Sequence, residues 1–297
     1  MLIKDWYTNA IRILCTKRIH NLDITLIHLL SYITGCSGGE IRLSLNDAKN
    51  IELSEEQVKT LNAAVSELNK GKALSKILHS SFFCGYEFYV NENVLCPRQV
   101  TQALVERGLE YIKSIQGNVD YLNILDLGTG SGCIAISIYK ILVENEGISD
   151  EKINVYAIDK SQKALEIARY NACKLNAEIN FMQSNWFQQF DMAFDMDNMY
   201  GKFDLIISNP PYLSNKDYIH KTAKHDPYIA LFADENGFAD YKIILKNAQK
   251  YLKTGGILAL EIPNKLVNNL QKYKKYYSEI TIYRGVINIS IALLKYQ

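Results

Sequence analysis

The sequence has no excess of charge of either sign. Lysine and arginine number 33 against 32 aspartates and glutamates, so the 297 residues carry a formal net charge of +1. A balanced chain has no overall field to hold it on nucleic acid or on an anionic membrane surface. This balance disfavours a dedicated nucleic-acid-binding protein, and we expect no direct nucleic-acid partner and no membrane partner.

Paired cysteines and clustered metal ligands are also missing. The six cysteines are scattered, with no Cys-x-x-Cys pair and no histidine at ligand spacing. This pattern argues against a zinc site and a disulfide framework, and it favours reduced thiols in the cytoplasm. His220, His225 and Asp226 lie together without a third ligand, so we predict a surface loop there and no metal.

A long apolar run is missing as well. The apolar stretch 22–34 is interrupted by polar residues and is shorter than the roughly 20 apolar residues of a transmembrane helix. Residues 1–20 carry apolar positions at helical intervals, and no small-residue cleavage site follows. We therefore expect them to form the first helix rather than a leader.

Two domains fit the length, because single hydrophobic cores stop growing near about 250–300 residues. Helical spacing of apolar residues predicts a helical domain over 1–80, in which Ser54 and Gln57 form a capping box for a helix that ends near Asn69. Aromatic and β-branched residues predict a β-hairpin linker over 81–100 with its turn at 91–93.

Residues 101–297 alternate between short apolar strands and helices, which is typical of a parallel sheet with crossover helices. The connection 284–287 is too short for a helix, so the last strand should run antiparallel to its neighbour. The predicted fold class is α/β, with a mostly parallel, doubly wound sheet. Its predicted strands are 123–127, 154–158, 179–183, 204–208, 256–262, 279–283 and 288–294.

A glycine-rich turn follows the first of these strands. Residues Asp126 to Gly132 read DLGTGSG. Glycines let the backbone approach a ligand closely, and the next helix offers free N–H groups. Cysteine at position 133, where a dinucleotide-binding turn needs glycine, favours a nucleoside ligand with a carboxylate end. Close packing of the strand on the helix would require the same glycines.

Two other strands end in residues that suit a ligand, at the edge where open α/β sheets bind them. Asp159 ends the second strand and suits either the hydroxyl groups of a ribose or the N-cap of the next helix. Asn185 and Trp186 follow the third strand. Trp186 suits either a cover for an adenine ring or a place in the core.

The most specific motif is Asn209-Pro210-Pro211-Tyr212, directly after the apolar strand 204–208. Consecutive prolines cannot donate backbone hydrogen bonds, and they hold the chain extended with its carbonyl groups turned outward. A planar NH2 group fits such a turn, because it can donate to the Asn209 side-chain oxygen and the Pro210 carbonyl while Tyr212 packs against its flat face. Such bonds help to localise the lone pair of the bound NH2 nitrogen, which makes it a better nucleophile toward the methyl group of a donor. We therefore predict Asn209, Pro210 and Tyr212 as catalytic residues.

In this order, the four motifs resemble those of the class I S-adenosylmethionine-dependent methyltransferases. From about Lys70 to Ile262 the chain resembles the HemK/PrmC family, since Val94–Arg98 is similar to the family's linker motif and Tyr228–Tyr241 to the stretch after its catalytic loop. The resemblance implies a Rossmann-like methyltransferase sheet of seven strands and a helical N-terminal domain that docks the substrate. It also implies methylation of the glutamine in the Gly-Gly-Gln motif of class I peptide release factors. The cofactor would be S-adenosylmethionine, the product S-adenosylhomocysteine, and the protein a monomer without a metal.

The resemblance also divides the site residues between the two ligands. Gly128, Thr129 and Gly130 would meet the methionine part of the cofactor, Asp159 its ribose, and Asn185 with Trp186 its adenine. The whole set expected at the cofactor is Asp126, Gly128, Thr129, Gly130, Gly132, Asp159, Asn185, Trp186 and Asn209. The set expected at the substrate is Arg98, Asn209, Pro210, Pro211 and Tyr212.

Outside these motifs the chain departs from the family. Residues 99–102 replace the proline and the acidic residue that usually follow the linker arginine, and 71–77 and 263–266 also differ. Three alternatives stay open. The same tetrapeptide serves methylation of adenine N6 in nucleic acid, the acceptor glutamine can belong to a ribosomal protein, and the chain can be a binding protein without activity.

Overall fold

The N-terminal part of the chain folds into five short α-helices in this computed structural model, which describes all residues except 18, 20, 193–200, 220 and 286–287. Their inward residues, such as Ile3, Leu26 and Leu61, form one apolar core because they recur at helical spacing. The capping box predicted at Ser54 and Gln57 is confirmed. The helices are α1 (Ile3–Leu14), α2 (Leu22–Thr34), α3 (Gly38–Leu45), α4 (Glu55–Asn69) and α5 (Leu74–Leu78).

A two-stranded hairpin follows, formed by β1 (Ser80–Phe83) and β2 (Tyr86–Tyr89). Its turn lies at Cys84 and Gly85, which both have positive φ, 49° and 85°. Two-residue hairpin turns favour such angles because their twist matches that of the strands. The hairpin turn predicted at 91–93 is therefore wrong: Gly85 sets the hairpin turn earlier, and the turn at Glu92 and Asn93 comes after β2.

The remaining strands form one seven-stranded sheet in the order β5-β4-β3-β6-β7-β9-β8. Strands β3 to β7 run parallel, and β9 runs antiparallel to both of its neighbours. The predicted fold class and the antiparallel last strand are both confirmed. The strands are β3 (Leu122–Leu127), β4 (Ile153–Asp159), β5 (Asn180–Gln183), β6 (Phe203–Ser208), β7 (Leu252–Pro263), β8 (Tyr277–Arg284) and β9 (Ile289–Tyr296).

Helices cover both faces of this sheet. Every residue of β3 and β6 is buried, which is why apolar and polar residues do not simply alternate along these strands. The helices are α6 (Gln99–Ile115), α7 (Cys133–Glu144), α8 (Gln162–Lys174), α9 (Gln188–Met192), α10 (Tyr228–Leu231), α11 (Asp234–Gly237) and α12 (Ala239–Tyr251). Short 3-10 segments lie at Cys15–Lys17, Gln116–Asn118, Asp150–Lys152, Lys221–His225 and Asn264–Tyr273.

The chain divides into two compact units. One comprises Met1–Ser80 and Ile219–His225, and the other comprises Ser81–Tyr218 and Asp226–Gln297. This division differs from the continuous domain predicted over 101–297, because a short segment after β6 groups with the helical unit. His220 and the second half of the predicted connection 284–287 lie outside the described residues. No helix in the described part of the chain is long and apolar enough to span a membrane.

Candidate active site

A cavity of about 420 Å³ opens at the carboxyl ends of the parallel strands. Because β3 to β6 are parallel neighbours, the loops after them meet at one edge of the sheet. Of the predicted site residues, those that line the cavity are Gly128, Gly130, Asp159, Asn185, Trp186, Asn209 and Pro211. Those that do not line it are Asp126, Thr129, Gly132, Pro210, Tyr212 and Arg98.

The glycine-rich turn after β3 is fixed to the end of β4. The backbone N–H groups of Gly128 and Thr129 both donate to the carbonyl oxygen of Ile158, at 2.9 Å. Gly128, Gly130 and Gly132 have φ of 72°, 57° and 82°, which other residues rarely adopt. The packing explanation holds for Gly132, since a Cβ there would lie 2.8 Å from Cδ1 of Ile136, whereas Gly128 and Gly130 face the cavity.

Asp126 lies beneath this turn and has no exposed surface. Its Oδ2 accepts a hydrogen bond of 2.6 Å from the Thr129 hydroxyl. Burial raises the pKa of the Asp126 carboxyl to about 7 against the effect of that bond. Asp126 and Thr129 therefore support the turn from below.

Asp159, the last residue of β4, closes the turn from the side. Its two carboxyl oxygens accept from the backbone N–H of Gly130 at 2.9 Å and of Ser161 at 2.8 Å. Ser161, not Asp159, is the N-cap of α8, because its hydroxyl accepts from the N–H of Ala164. Burial raises the pKa of Asp159, and the backbone donors act in the opposite direction. The carboxyl thus faces the cavity while it holds the glycine turn.

Trp186 is held in a strained backbone conformation beside the same turn. Its φ is 53°, a value that costs free energy in a bulky residue and is concentrated at functional sites. The indole Nε1–H donates to Oδ1 of Asp240 at 2.9 Å. The ring lies close to Gly128, where a Cβ would be 3.6 Å from it. Trp186 is partly buried and presents its ring to the cavity, so it is not a core residue alone.

Across the cavity, the tetrapeptide 209–212 follows β6. The Ser208 hydroxyl donates to the Leu127 carbonyl at 2.7 Å, which joins the end of β6 to the end of β3. The side-chain nitrogen of Asn209 donates to the hydroxyl of Thr101 at 3.2 Å. Because the nitrogen is directed toward Thr101, the side-chain oxygen of Asn209 is left for another donor.

A close backbone contact fixes the far end of the tetrapeptide. Gly237 has φ of 88°, and a Cβ there would come 2.1 Å from the carbonyl oxygen of Tyr212. Only glycine tolerates both conditions. Burial raises the pKa of the Tyr212 hydroxyl to about 12, so its ring carries no charge near neutral pH.

Arg98 does not line the cavity and forms an ion pair with Asp226. Its guanidinium donates to Oδ2 of Asp226 at 2.7 Å, and the other oxygen of Asp226 accepts from the N–H of Cys96 at 3.3 Å. The Asp226 side chain is only 2% exposed, so the surface loop predicted there is wrong for this residue. Among the described residues, no group of three histidine, cysteine or acidic side chains is arranged to hold a metal ion.

Sequence reasoning did not assign a role to three polar residues near the tetrapeptide and the tryptophan. They are Thr101, Asp240 and Glu261. Thr101 and Asp240 bond to Asn209 and Trp186 across 108 and 54 residues of the chain, and Glu261 lies in β7 beside the end of β6. One signal was present for Glu261, because a single acid inside the apolar run Leu258–Ile262 must be buried.

Known proteins share this architecture and much of this sequence. A family described as "Methyltransferase domain" matches residues 118–293. The release factor glutamine methyltransferase of Buchnera aphidicola subsp. Acyrthosiphon pisum is 36% identical, over 88% of this chain and 85% of its own. The protein of the same name from Haemophilus influenzae is 32% identical, over 88% and 86%.

A solved structure with a similar fold is the catalytic domain of hMettl16 in complex with the MAT2A 3'UTR hairpin 1. It is 12% identical, has a TM-score of 0.51 and covers 84% of each chain. At this identity the similarity concerns the fold alone. The two relatives that each cover 88% of the chain are named release factor glutamine methyltransferase. Because of their identity to this chain and the methyltransferase domain matched over residues 118–293, the chain belongs to the HemK/PrmC family of release factor glutamine methyltransferases.

Proposed function

We propose that this enzyme transfers the methyl group of S-adenosylmethionine to the side-chain amide nitrogen of a glutamine, in the Gly-Gly-Gln motif of class I peptide release factors. The nitrogen forms a bond to the methyl carbon as the bond from that carbon to the sulfonium breaks, and the products would be N5-methylglutamine, S-adenosylhomocysteine and a proton released from the nitrogen. One observation carries the proposal: Asn209 and Pro211 of the tetrapeptide line the same cavity as Gly128 and Gly130 of the glycine turn, in a chain of this family.

We name the two sides of the cavity by the ligand that each would hold. The cofactor side consists of the loops after β3, β4 and β5, and the transfer side consists of the ends of β6 and β7. Gly128 and Gly130 leave room for a ligand, since a Cβ at Gly128 would enter the space beside the Trp186 ring. When bound there, S-adenosylmethionine supplies an electrophilic methyl group on its sulfonium.

The residues of the cofactor side fit a nucleoside with a methionine tail. Each oxygen of Asp159 accepts one backbone N–H and keeps a lone pair for a ribose hydroxyl. The ring of Trp186 gives the adenine a flat apolar surface beside Asn185. Asp126 and Thr129 would act through the turn that they support rather than by contact.

On the transfer side, the chain provides acceptors for both hydrogens of an NH2 group. The Asn209 side-chain oxygen is free of the Thr101 contact, and the Pro210 carbonyl follows it. An amide nitrogen is a poor nucleophile because its lone pair is delocalised into the carbonyl group. Acceptors that hold both N–H groups position the nitrogen and favour charge that develops on it during transfer, while Tyr212 packs against the amide plane.

The partner follows from the same chemistry. A glutamine in a protein loop must reach this cavity, and we propose that the enzyme acts on release factors in the cytoplasm, as a monomer. Adenine N6 is the weaker alternative, because relatives that cover 88–94% of the chain are named for glutamine.

The deciding experiment measures the intact mass of a purified class I release factor after incubation with the enzyme and S-adenosylmethionine. We expect a gain of one methyl group, which peptide mapping places on the Gly-Gly-Gln glutamine. A release factor with alanine in place of that glutamine is the matched control and should gain nothing. No gain with cofactor binding intact would contradict the proposal and direct the search to ribosomal proteins and adenine in nucleic acid.

A further inference from the structure

The buried carboxyl group of Glu261 lies next to the transfer side, and the proposed chemistry assigns it no role. Strands β6 and β7 pair in a register that sets Ser208 against Leu260, so the next residues, Asn209 and Glu261, stand side by side. Glu261 is 1% exposed. Neither of its carboxyl oxygens has a hydrogen-bond partner among the described residues.

Burying a carboxyl group without hydrogen-bond partners lowers the free energy of unfolding of the protein. Burial raises the pKa of Glu261 to about 7, although the Thr101 hydroxyl, the charge of Arg98 and the Asn209 amide all lie close enough to lower it. Native proteins leave few buried polar atoms without partners, and those that remain call for an explanation. The backbone of Glu261 is itself held in place, because its carbonyl oxygen accepts from the Tyr241 hydroxyl at 2.6 Å.

Thr101 connects this carboxyl to Asn209. It lies in the first turn of α6 and is 3% exposed, and its hydroxyl oxygen accepts from the Asn209 side-chain nitrogen at 3.2 Å. A hydroxyl that accepts in this way still has one proton to donate. The carboxyl oxygens of Glu261 are acceptors beside it that no other described group uses.

We infer that Glu261, through the hydroxyl of Thr101, fixes which way the side-chain amide of Asn209 points. Glu261 and Thr101 are therefore positioning residues for the transfer step. This inference rests on the proposed function. An ionised carboxylate only accepts hydrogen bonds. Thr101 must then donate to Glu261 and accept from the Asn209 nitrogen, so the Asn209 oxygen is turned to the substrate amide. Glu261 does not line the cavity and acts through Asn209 rather than on the substrate.

If these hydrogen bonds ran in the opposite direction, Asn209 would present the wrong group to the substrate amide. If the side chain at position 261 donates to Thr101, the hydroxyl can donate to the Asn209 oxygen, and the Asn209 NH2 then faces the NH2 of the substrate. Two donors cannot bond to each other, so the acceptor amide loses its position. A glutamine at position 261, or a protonated glutamate, makes this reversal possible.

The test compares three variants of the full chain: Thr101→Val, Thr101→Ser and Glu261→Gln. We expect Thr101→Val and Glu261→Gln each to lower kcat for release-factor methylation by about ten- to a hundredfold, the range for a misplaced catalytic group. Thr101→Ser keeps the hydroxyl and should retain most of the activity. The dissociation constant for S-adenosylmethionine, measured by calorimetry, should stay within about twofold in all three, because the cofactor side is untouched. Ser137→Ala, which removes a buried hydroxyl in α7, is the matched control and should leave both quantities unchanged.

The pH profile adds a readout that a purely structural role would not move. The wild-type kcat should fall as the pH drops below about 7, because protonated Glu261 can donate to Thr101. Arg98, with its partner Asp226, and the hydroxyls of Tyr212 and Tyr241 also face Glu261. Burial raises the pKa of both hydroxyls above the usual 10, away from this pH range. In Glu261→Gln this acid limb should disappear.

The outcomes separate the inference from the proposed function. Variants that match the wild type in kcat and pH profile overturn the inference while the proposed function stands. Variants that lose cofactor affinity together with turnover also overturn it, because the two residues would then only support the fold. If the wild-type enzyme itself transfers no methyl group to a release factor, the proposed function fails and the inference fails with it.

Discussion

Asp159 on the cofactor side of the cavity and Glu261 on its transfer side differ in the partners of their carboxyl oxygens. On the cofactor side, both oxygens of Asp159 accept backbone N–H groups from Gly130 and Ser161. On the transfer side, both oxygens of Glu261 are without a partner among the described residues. An acid with backbone donors stabilises its loop, whereas an unpartnered one costs free energy that proteins accept at working sites.

The two sides also differ in how far apart their partners lie in the chain. Asp159 meets its donors within 29 residues or fewer, while Asn209 meets Thr101 across 108 residues. The cofactor side is therefore assembled by neighbouring βα units, and the transfer side depends on α6 packing correctly against β6 and β7. Variants on the two sides should accordingly separate binding from turnover.

The largest effect is expected for Asn209→Ala on the transfer side. Removing the acceptor for the substrate amide should lower kcat by about 10²–10³-fold, as loss of one positioned polar group does in other active sites. Cofactor affinity should change little. Rates from single-turnover methylation and calorimetry with S-adenosylmethionine give the two quantities, with Asn247→Ala on α12 as the control. Full activity of Asn209→Ala would show that the amide-holding mechanism is wrong.

Glu261→Gln should make the protein more stable at alkaline pH. The folded-state pKa of Glu261, about 7, is higher than the 4.5 of an unburied glutamate, so the folded state binds the proton more tightly. The wild type therefore loses stability as the pH rises from about 4.5 to 7, by on the order of 3 kcal/mol for this group. The Glu261→Gln variant has no carboxyl group at this position, so its free energy of unfolding does not fall for this reason.

Urea denaturation of both proteins at pH 5 and pH 8 measures this effect. The difference between the proteins, rather than either slope, isolates Glu261, because Asp126 has a similarly raised pKa and titrates in both. Equal pH dependence in the two proteins would mean that Glu261 is not buried in ionised form. A gain in stability together with a loss in turnover would mark a residue kept for function.

The sequence predicted the cofactor side better than the transfer side, for a physical reason. Strand ends followed by glycine, aspartate or asparagine are local patterns, and parallel strands necessarily bring such ends together. The orientation of Asn209 depends on Thr101 and Glu261, and the position of Arg98 depends on Asp226. These contacts arise from tertiary packing, which no spacing in the sequence encodes. The hairpin turn lies at Gly85 rather than at the polar residues 91–93, because the positive φ of Gly85 matches the twist of the two strands.

A smaller effect is expected for Asp159→Ala on the cofactor side. The change removes the acceptor for a ribose hydroxyl and the two backbone bonds that hold the glycine turn. Charge-assisted bonds of this kind contribute about 1.5–3 kcal/mol, so the dissociation constant for S-adenosylmethionine should rise by about 10- to 100-fold. At saturating cofactor, kcat should recover most of its value.

Calorimetry with Asp159→Ala and with Asp150→Ala, an exposed acid just before β4, checks this expectation. If Asp159→Ala instead lowered kcat at saturating cofactor as far as Asn209→Ala does, the separation between the two sides of the cavity would not hold. Unchanged affinity would remove Asp159 from the cofactor site.

The smallest effect is expected for Trp186→Phe, which keeps an aromatic surface and loses the bond from Nε1 to Asp240. Because this bond holds the ring and does not touch the cofactor, we expect a net effect of about 0.5–1.5 kcal/mol, a rise of about 3- to 10-fold in the dissociation constant for S-adenosylmethionine. The chain contains only two tryptophans, Trp6 and Trp186. In a Trp6→Phe background, the indole fluorescence therefore reports on the cavity alone. That fluorescence should change as S-adenosylmethionine is added, because an adenine ring on the indole face alters its environment. A constant signal under conditions where calorimetry detects binding would place the adenine elsewhere, and the cofactor side would then rest on the glycine turn and Asp159 only.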